Sequence, residues 1–131
     1  MYTHAGLQFD SEAQVLQTPH MVKLDWQRSV LSPQLLPCLR TGLAQAVGPS
    51  AKIVSVQRVA FPQLAPYAAA FRVVMDITAS STTLRVMSDI VVVGRGRTEI
   101  TLTTTAPFAA RATVWPVEIR LARLLLTRVR A

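Results

Sequence analysis

Apolar and polar residues alternate along the stretch 67–105, which is the pattern of β-strands that have one face in a core. A tight turn at Ser80 and Ser81 predicts an antiparallel hairpin within this stretch. One face of that hairpin is then apolar. Its members are Phe71, Val73, Met75 and Ile77 on the first strand and Leu84, Val86 and Ile90 on the second.

The opposite face of the same hairpin carries two pairs of opposite charge. Arg72 lies across from Asp89, and Asp76 lies across from Arg85. Directly opposed charges of this kind stabilise a strand pair by roughly 0.2–1 kcal/mol each. A slip of one residue would move both pairs to the apolar side, so we expect the register to be strongly specified.

A second turn follows at the segment Gly94-Arg-Gly-Arg97. A three-residue loop at 95–97, with Gly96 in the left-handed region, pairs Val92 with Ile100. This interpretation extends the apolar face through Ile100 and Leu102, and it leaves Glu99, Thr101 and Thr103 facing water. An upstream strand over 52–61 completes a four-stranded antiparallel meander.

Two helices are predicted to cover the apolar side of this sheet. Ser32-Pro33 is a helix start and Gly48-Pro49 a stop, which predicts a short helix before the sheet. Its regular part is expected one turn after Pro33. A longer helix is predicted from about residue 107 to residue 129, with a kink near Pro116. The fold class is therefore α+β, with the long C-terminal helix packed on one face of the sheet.

The long helix is apolar over more than half of its circumference, which is more than one sheet face needs. Its main stripe points at the sheet, and three residues fall nearly opposite that stripe. These candidate interface residues are Val117, Leu121 and Leu124. We expect a homodimer, another protein partner or the N-terminal segment to cover them. Burial on both sides within this chain is the alternative.

Residues 1–31 have the weakest pattern and are interpreted as an N-terminal arm or edge segment, before a single domain at 32–131. Asp10 is a candidate cap for a short helix ending at Leu16. The segment Met21–Trp26 alternates weakly and is a candidate for a fifth, edge strand or for an extended arm.

The chain has 14 lysines and arginines against seven acidic residues, a net charge of +7. Candidate contacts to an anion or an anionic membrane surface are Arg95 and Arg97 at the hairpin tip and Arg120, Arg123 and Arg130 on the long helix. A solvated helix face is the alternative. Nucleic-acid binding is disfavoured because no aromatic residue is interleaved with these arginines.

The sequence offers no recognisable catalytic, metal or cofactor motif. Gly94-Arg-Gly96 lacks the third glycine of a nucleotide-binding turn and joins two strands. His4 and His20 have no metal-ligand spacing. Cys38 lies among leucines and is expected to be a buried, inert thiol. The sequence has no run of 18 apolar residues, so it predicts no membrane span. We therefore expect a protein that is not an enzyme.

Three consecutive segments together resemble a known group of proteins. They are the strand and turn Asp89–Arg97, the threonine-rich strand Thr98–Thr105 and the Arg/Leu-rich helix that follows. This arrangement resembles the C-terminal half of small actinobacterial cell-envelope proteins, commonly lipoproteins. It is similar to the PsbP-like fold and to the extracellular sensor domain of mycobacterial receptor kinases. The resemblance implies an antiparallel sheet packed by helices, export to the envelope and a non-catalytic role, and it carries over no site residues.

The leading hypothesis is a non-catalytic cell-envelope or secreted domain that binds a small ligand or a protein partner. The alternative is a basic intracellular nucleic-acid-binding module. Because Met1 leads directly into a polar segment rather than an apolar leader, a cytoplasmic location is the alternative expectation.

Overall fold

A computed structural model describes residues 2–4 and 7–128 of the chain. The strands are β1 (Tyr2–His4), β2 (Leu7–Val15), β3 (Ala51–Val59), β4 (Tyr67–Ala79), β5 (Thr82–Arg95) and β6 (Thr98–Pro107). The helices are α1 (Pro19–Asp25), α2 (Leu35–Val47) and α3 (Arg111–Thr127). A π-helical turn, Trp26–Val30, continues α1, and a 3-10 turn, Phe108–Ala110, precedes α3.

The strands form one antiparallel sheet in the order β1-β2-β6-β5-β4-β3. The predicted four-stranded meander is present as β3 to β6, and a hairpin from the N-terminal segment adds β2 and β1 beside β6. The chain therefore has the predicted α+β class, with a wider sheet than the four or five strands expected.

The β4–β5 hairpin has the predicted register along its whole length. Phe71 pairs with Ile90, and Ala79 pairs with Thr82 across a two-residue turn. Ser80 and Ser81 form that turn with positive φ angles of 49° and 67°. Both charge pairs form as expected, with Arg72–Asp89 at 2.7 Å and Arg85–Asp76 at 2.8 Å.

The β5–β6 register differs from the prediction by one residue. Arg95 pairs with Thr98, so the loop holds two residues, Gly96 and Arg97, instead of three. Gly96 does adopt the expected positive φ, at 57°. The shift moves Ile100 and Leu102 to the face that carries the Arg72–Asp89 pair, because side chains alternate along a strand.

The predicted division of the sheet into one buried apolar face and one solvent-exposed face is consequently wrong, since helices cover both faces. The α3 face is buried under α3 around Val91, Leu102 and Ala122. The opposite face, here called the α1 face, packs Phe71 against Trp26 of the π-helical turn. The result is three layers, with α1 and α2 on one side of the sheet and α3 on the other.

The two predicted helices are confirmed within the described residues. The short helix α2 begins at Leu35 and ends before Gly48, whose φ is +73°. The long helix runs continuously through Pro116 to Thr127. Residue 129, the predicted end of the long helix, lies outside the described part of the chain.

The N-terminal segment was predicted with helix and strand interchanged. The candidate helix at 10–16 lies in strand β2 as far as Val15, and the candidate strand at 21–26 lies in α1 and the π-helical turn. Thr18 caps α1, because its side-chain oxygen accepts a hydrogen bond from the Met21 amide at 3.2 Å, and Pro19 occupies the first turn.

Candidate functional site

An open apolar groove lies on the α3 face, because the sheet extends beyond the area that α3 covers. Helix α3 packs over β5 and β6. Strand β2 lies farther out, because it pairs with the edge of β6 that faces away from β5. The space between α3 and β2 is a cavity of about 470 Å³. We call it the α3 groove; its lining residues are Phe9, Asp10, Ser11, Leu102, Val117, Leu121, Leu124 and Leu125.

The three predicted interface residues of the long helix come together in this groove. Val117 and Leu121 are half-buried in its wall, whereas Leu124 is 48 % exposed. The opposite wall is strand β2, where the small side chain of Ser11 leaves space above the sheet. Strand β2, from the N-terminal segment, thus covers these apolar residues of α3 only in part.

The predicted basic residues within the described structure lie on the β5–β6 hairpin and on the long helix. Arg97 is exposed in the β5–β6 turn, and Arg95 is half-buried with a long, 3.5 Å hydrogen bond to the Leu64 carbonyl. Arg120 and Arg123 are exposed on α3. Arg130 lies outside the described residues. The four predicted arginines that the structure describes thus lie on two elements, the β5–β6 hairpin and helix α3.

A charged cluster that sequence reasoning placed in water is buried beneath α3. Arg72 donates two hydrogen bonds to the Asp89 carboxylate, at 2.7 Å and 2.9 Å, and Asp89 is fully buried. The Arg72 guanidinium also lies 5.6 Å from the centre of the Trp115 ring. The ion pair neutralises the charge of Asp89, which an apolar core could not hold alone.

Glu118 of α3 is the second acidic group of this cluster and is fully buried. Neither of its carboxyl oxygens has a hydrogen-bond partner within the described structure, and neither does the Thr104 hydroxyl. Burial, reinforced by the nearby Asp89 carboxylate, raises the pKa of Glu118 to about 9. Glu118 is therefore protonated and neutral near pH 7.

The sequence contained a signal for Glu118 that was missed. Val114, Ala122 and Leu126 are buried on the same side of α3, and Glu118 falls on their spacing of four residues. A glutamate on such a line is expected beneath the helix. The interpretation of the long helix assigned its polar positions to arginines instead.

A small acidic cavity of about 230 Å³ lies on the α1 face. Glu12 of β2, Asp25 of α1 and Glu99 of β6 contribute its carboxyl groups. Glu99 is only 7 % exposed, and burial together with the adjacent Asp25 raises its pKa to about 7. The predicted wet position of Glu99 is therefore wrong, because α1 covers it. No group of three potential metal ligands with metal-binding geometry occurs in the described part of the chain.

Cys38 also differs from expectation, because its thiol is exposed on α2 rather than buried. It borders a shallow apolar surface with Leu35, Leu39 and Leu43. The leucines of α2 are only half-buried against the sheet, which leaves the residue between them in solvent.

Comparisons with known proteins give no family for this chain. The sequence matches no known family model and shows no significant similarity to a curated protein. Among the described residues, no helix has the length and apolar character needed to cross a membrane.

Proposed function

We propose that this protein is a non-catalytic binding domain and that the α3 groove holds a small, largely apolar ligand. The observation that carries the proposal is the groove itself: a 470 Å³ cavity between α3 and β2, lined mainly by leucine, valine and phenylalanine. This volume lies within the range of about 300–1,000 Å³ that is usual for small-molecule sites.

The chemistry of the lining supports binding rather than catalysis. Five aliphatic side chains and one aromatic side chain supply apolar contact, and Asp10 and Ser11 are the polar members. Burying the exposed half of Leu124 under a ligand would contribute favourably, at about 25 cal/mol per Å² of apolar surface removed from water.

The proposal is tested by titrating the neutral fluorescent probe N-phenyl-1-naphthylamine into the purified protein. Saturable binding with increased fluorescence is expected. Replacing the exposed Ser11 with phenylalanine, Ser11→Phe, should fill the groove and weaken binding at least tenfold. The matched control is Gln14→Phe, which adds the same ring to the opposite face of β2 and should leave binding unchanged.

Two results would overturn the proposal. One is the absence of saturable probe binding to the unaltered protein. The other is sedimentation showing a dimer that Ser11→Phe dissociates, since the groove would then be an interface between two copies.

We also propose that the domain acts in the cell envelope, as its resemblance to envelope proteins suggests. Fractionation of cells that express the gene from its own start tests this location. Recovery in the envelope or the medium is expected, and recovery only in the cytoplasm would contradict the proposal.

A further inference from the structure

The α3 groove does not end at Leu125 but continues into a second cavity. This cavity has a volume of about 460 Å³ and shares Ser11 and Leu125 with the groove. Its lining residues are Ser11, Glu12, Ala13, Val15, Arg97, Thr98, Ile100, Leu125 and Arg128. The two cavities together form one trough along β2 and α3.

The trough is long enough for an extended chain. Along α3, the rise from Val117 to Arg128 is about 17 Å at 1.5 Å per residue. Along β2, the distance from Phe9 to Val15 is about 20 Å at 3.3 Å per residue. An extended long-chain acyl group has a comparable length, and the small side chains of Ser11 and Ala13 leave room for it.

The polarity of the trough changes from one end to the other. The end near Val117 is lined mainly by apolar side chains, with Asp10 as its charged residue, whereas the other end is bordered by Arg97 and Arg128. Both arginines are exposed, and neither has an ion-pair partner among the described residues. The Arg97 guanidinium donates a long hydrogen bond, 3.5 Å, to the Gln17 carbonyl.

Glu12 is the one acidic residue that borders this second cavity. It alternates with Ser11 and Ala13 along β2 and also lines the acidic cavity on the α1 face, with Asp25 and Glu99. Its carboxylate is therefore directed mainly to the other side of the sheet. The charges left beside this second cavity are the two guanidinium groups, which favour an anion there, whereas Asp10 lies at the other end of the trough, near Phe9.

We propose that the ligand of this trough is a single-chain anionic amphiphile, with its apolar tail in the α3 groove and its acidic head between Arg97 and Arg128. This inference rests on the proposed function and adds the chemical class of the ligand. A long-chain carboxylate fits the arrangement, because a guanidinium can bind its two oxygens together.

The test measures displacement of N-phenyl-1-naphthylamine by three ligands with the same twelve-carbon tail. Dodecanoate should displace the probe at least tenfold more strongly than dodecanol or dodecyltrimethylammonium. The double variant Arg97→Gln/Arg128→Gln should lose this preference but keep its affinity for the neutral probe. Inorganic phosphate alone should not displace the probe, since the tail supplies most of the contact.

The matched control is Arg120→Gln/Arg123→Gln, which removes the same charge from exposed positions elsewhere on α3. It should keep the preference for dodecanoate. If the neutral probe does not bind the unaltered protein, the proposed function fails. If the probe binds but the three ligands compete equally, or if both double variants lose the preference alike, only the present inference is overturned.

Discussion

The carboxyl group of Glu118 is buried between α3 and the sheet, near the Asp89 carboxylate, and these surroundings decide its charge. Its pKa is raised to about 9, well above the ordinary value near 4.5 that it regains on unfolding. Between these two pH values the folded chain binds a proton that the unfolded chain releases. Stability should therefore fall as pH rises from about 4.5 to about 9.

Glu118→Gln should remove this dependence, because the amide resembles the neutral acid in shape and does not ionise. Relative to the unaltered protein, the variant should gain stability of the order of 1 kcal/mol per pH unit across that window. Urea unfolding at pH 5, 7 and 8.5 measures the difference. A constant difference at all three values would show that Glu118 titrates normally.

Glu99→Gln is the matched comparison, since it removes another buried carboxyl from the opposite face of the sheet. The pKa of Glu99 is raised to about 7. The gain in stability from Glu99→Gln should therefore grow between about pH 4.5 and pH 7 and remain constant above pH 7. The two variants are distinguished by whether the gain continues between pH 7 and pH 8.5.

At the scale of elements, the β4–β5 hairpin has a turn made from residues poorly suited to it. Ser80 and Ser81 both have positive φ, a conformation that asparagine and glycine adopt more readily. The double substitution Ser80→Asn/Ser81→Gly should therefore stabilise the protein by about 1 kcal/mol.

Chemical denaturation of the double variant measures the effect of the turn. Ser32→Gly is the control, because its side-chain oxygen accepts a hydrogen bond from the Gln34 amide and its loss should destabilise instead. If the turn variant has unchanged or lower stability, the positive φ angles of Ser80 and Ser81 do not reduce the stability of the protein.

The β4–β5 and β5–β6 hairpins show what the sequence could and could not predict. The β4–β5 register was predictable because Arg72 and Asp76 each meet an opposite charge across the strand pair. At the β5–β6 turn, β5 is apolar on both faces, with Ile90 and Val92 alternating with Val91 and Val93. Alternation then no longer decides the register, and loops of two or three residues fit equally well.

The candidate site was predictable only in part for a related reason. The wide apolar face of the long helix indicated Val117, Leu121 and Leu124, and all three line the α3 groove. The facing wall is β2, whose polar sequence suggested no strand. Its pairing with β6 joins segments about ninety residues apart, a long-range contact that local patterns do not predict.

At the scale of the whole molecule, β2 both pairs with the edge of β6 and forms one wall of the trough. It pairs with β6 from Gln8 to Val15, and Phe9 packs with Met87, Ala106 and Val114. A chain that lacks residues 1–16 would leave β6 as an unprotected edge strand beside an opened core. Such edges associate with other chains, so the truncated protein should be less stable and should self-associate.

Sedimentation velocity and thermal unfolding measure these two effects, and Phe9→Ala separates them. That variant keeps the β2 backbone but loses a buried ring, so it should lose about 3 kcal/mol of stability or more. It should nevertheless remain in the association state of the unaltered protein, because β6 is still paired. If the truncated chain has an unchanged unfolding midpoint and does not self-associate, β2 does not protect β6, and the trough lacks the wall on which ligand binding depends.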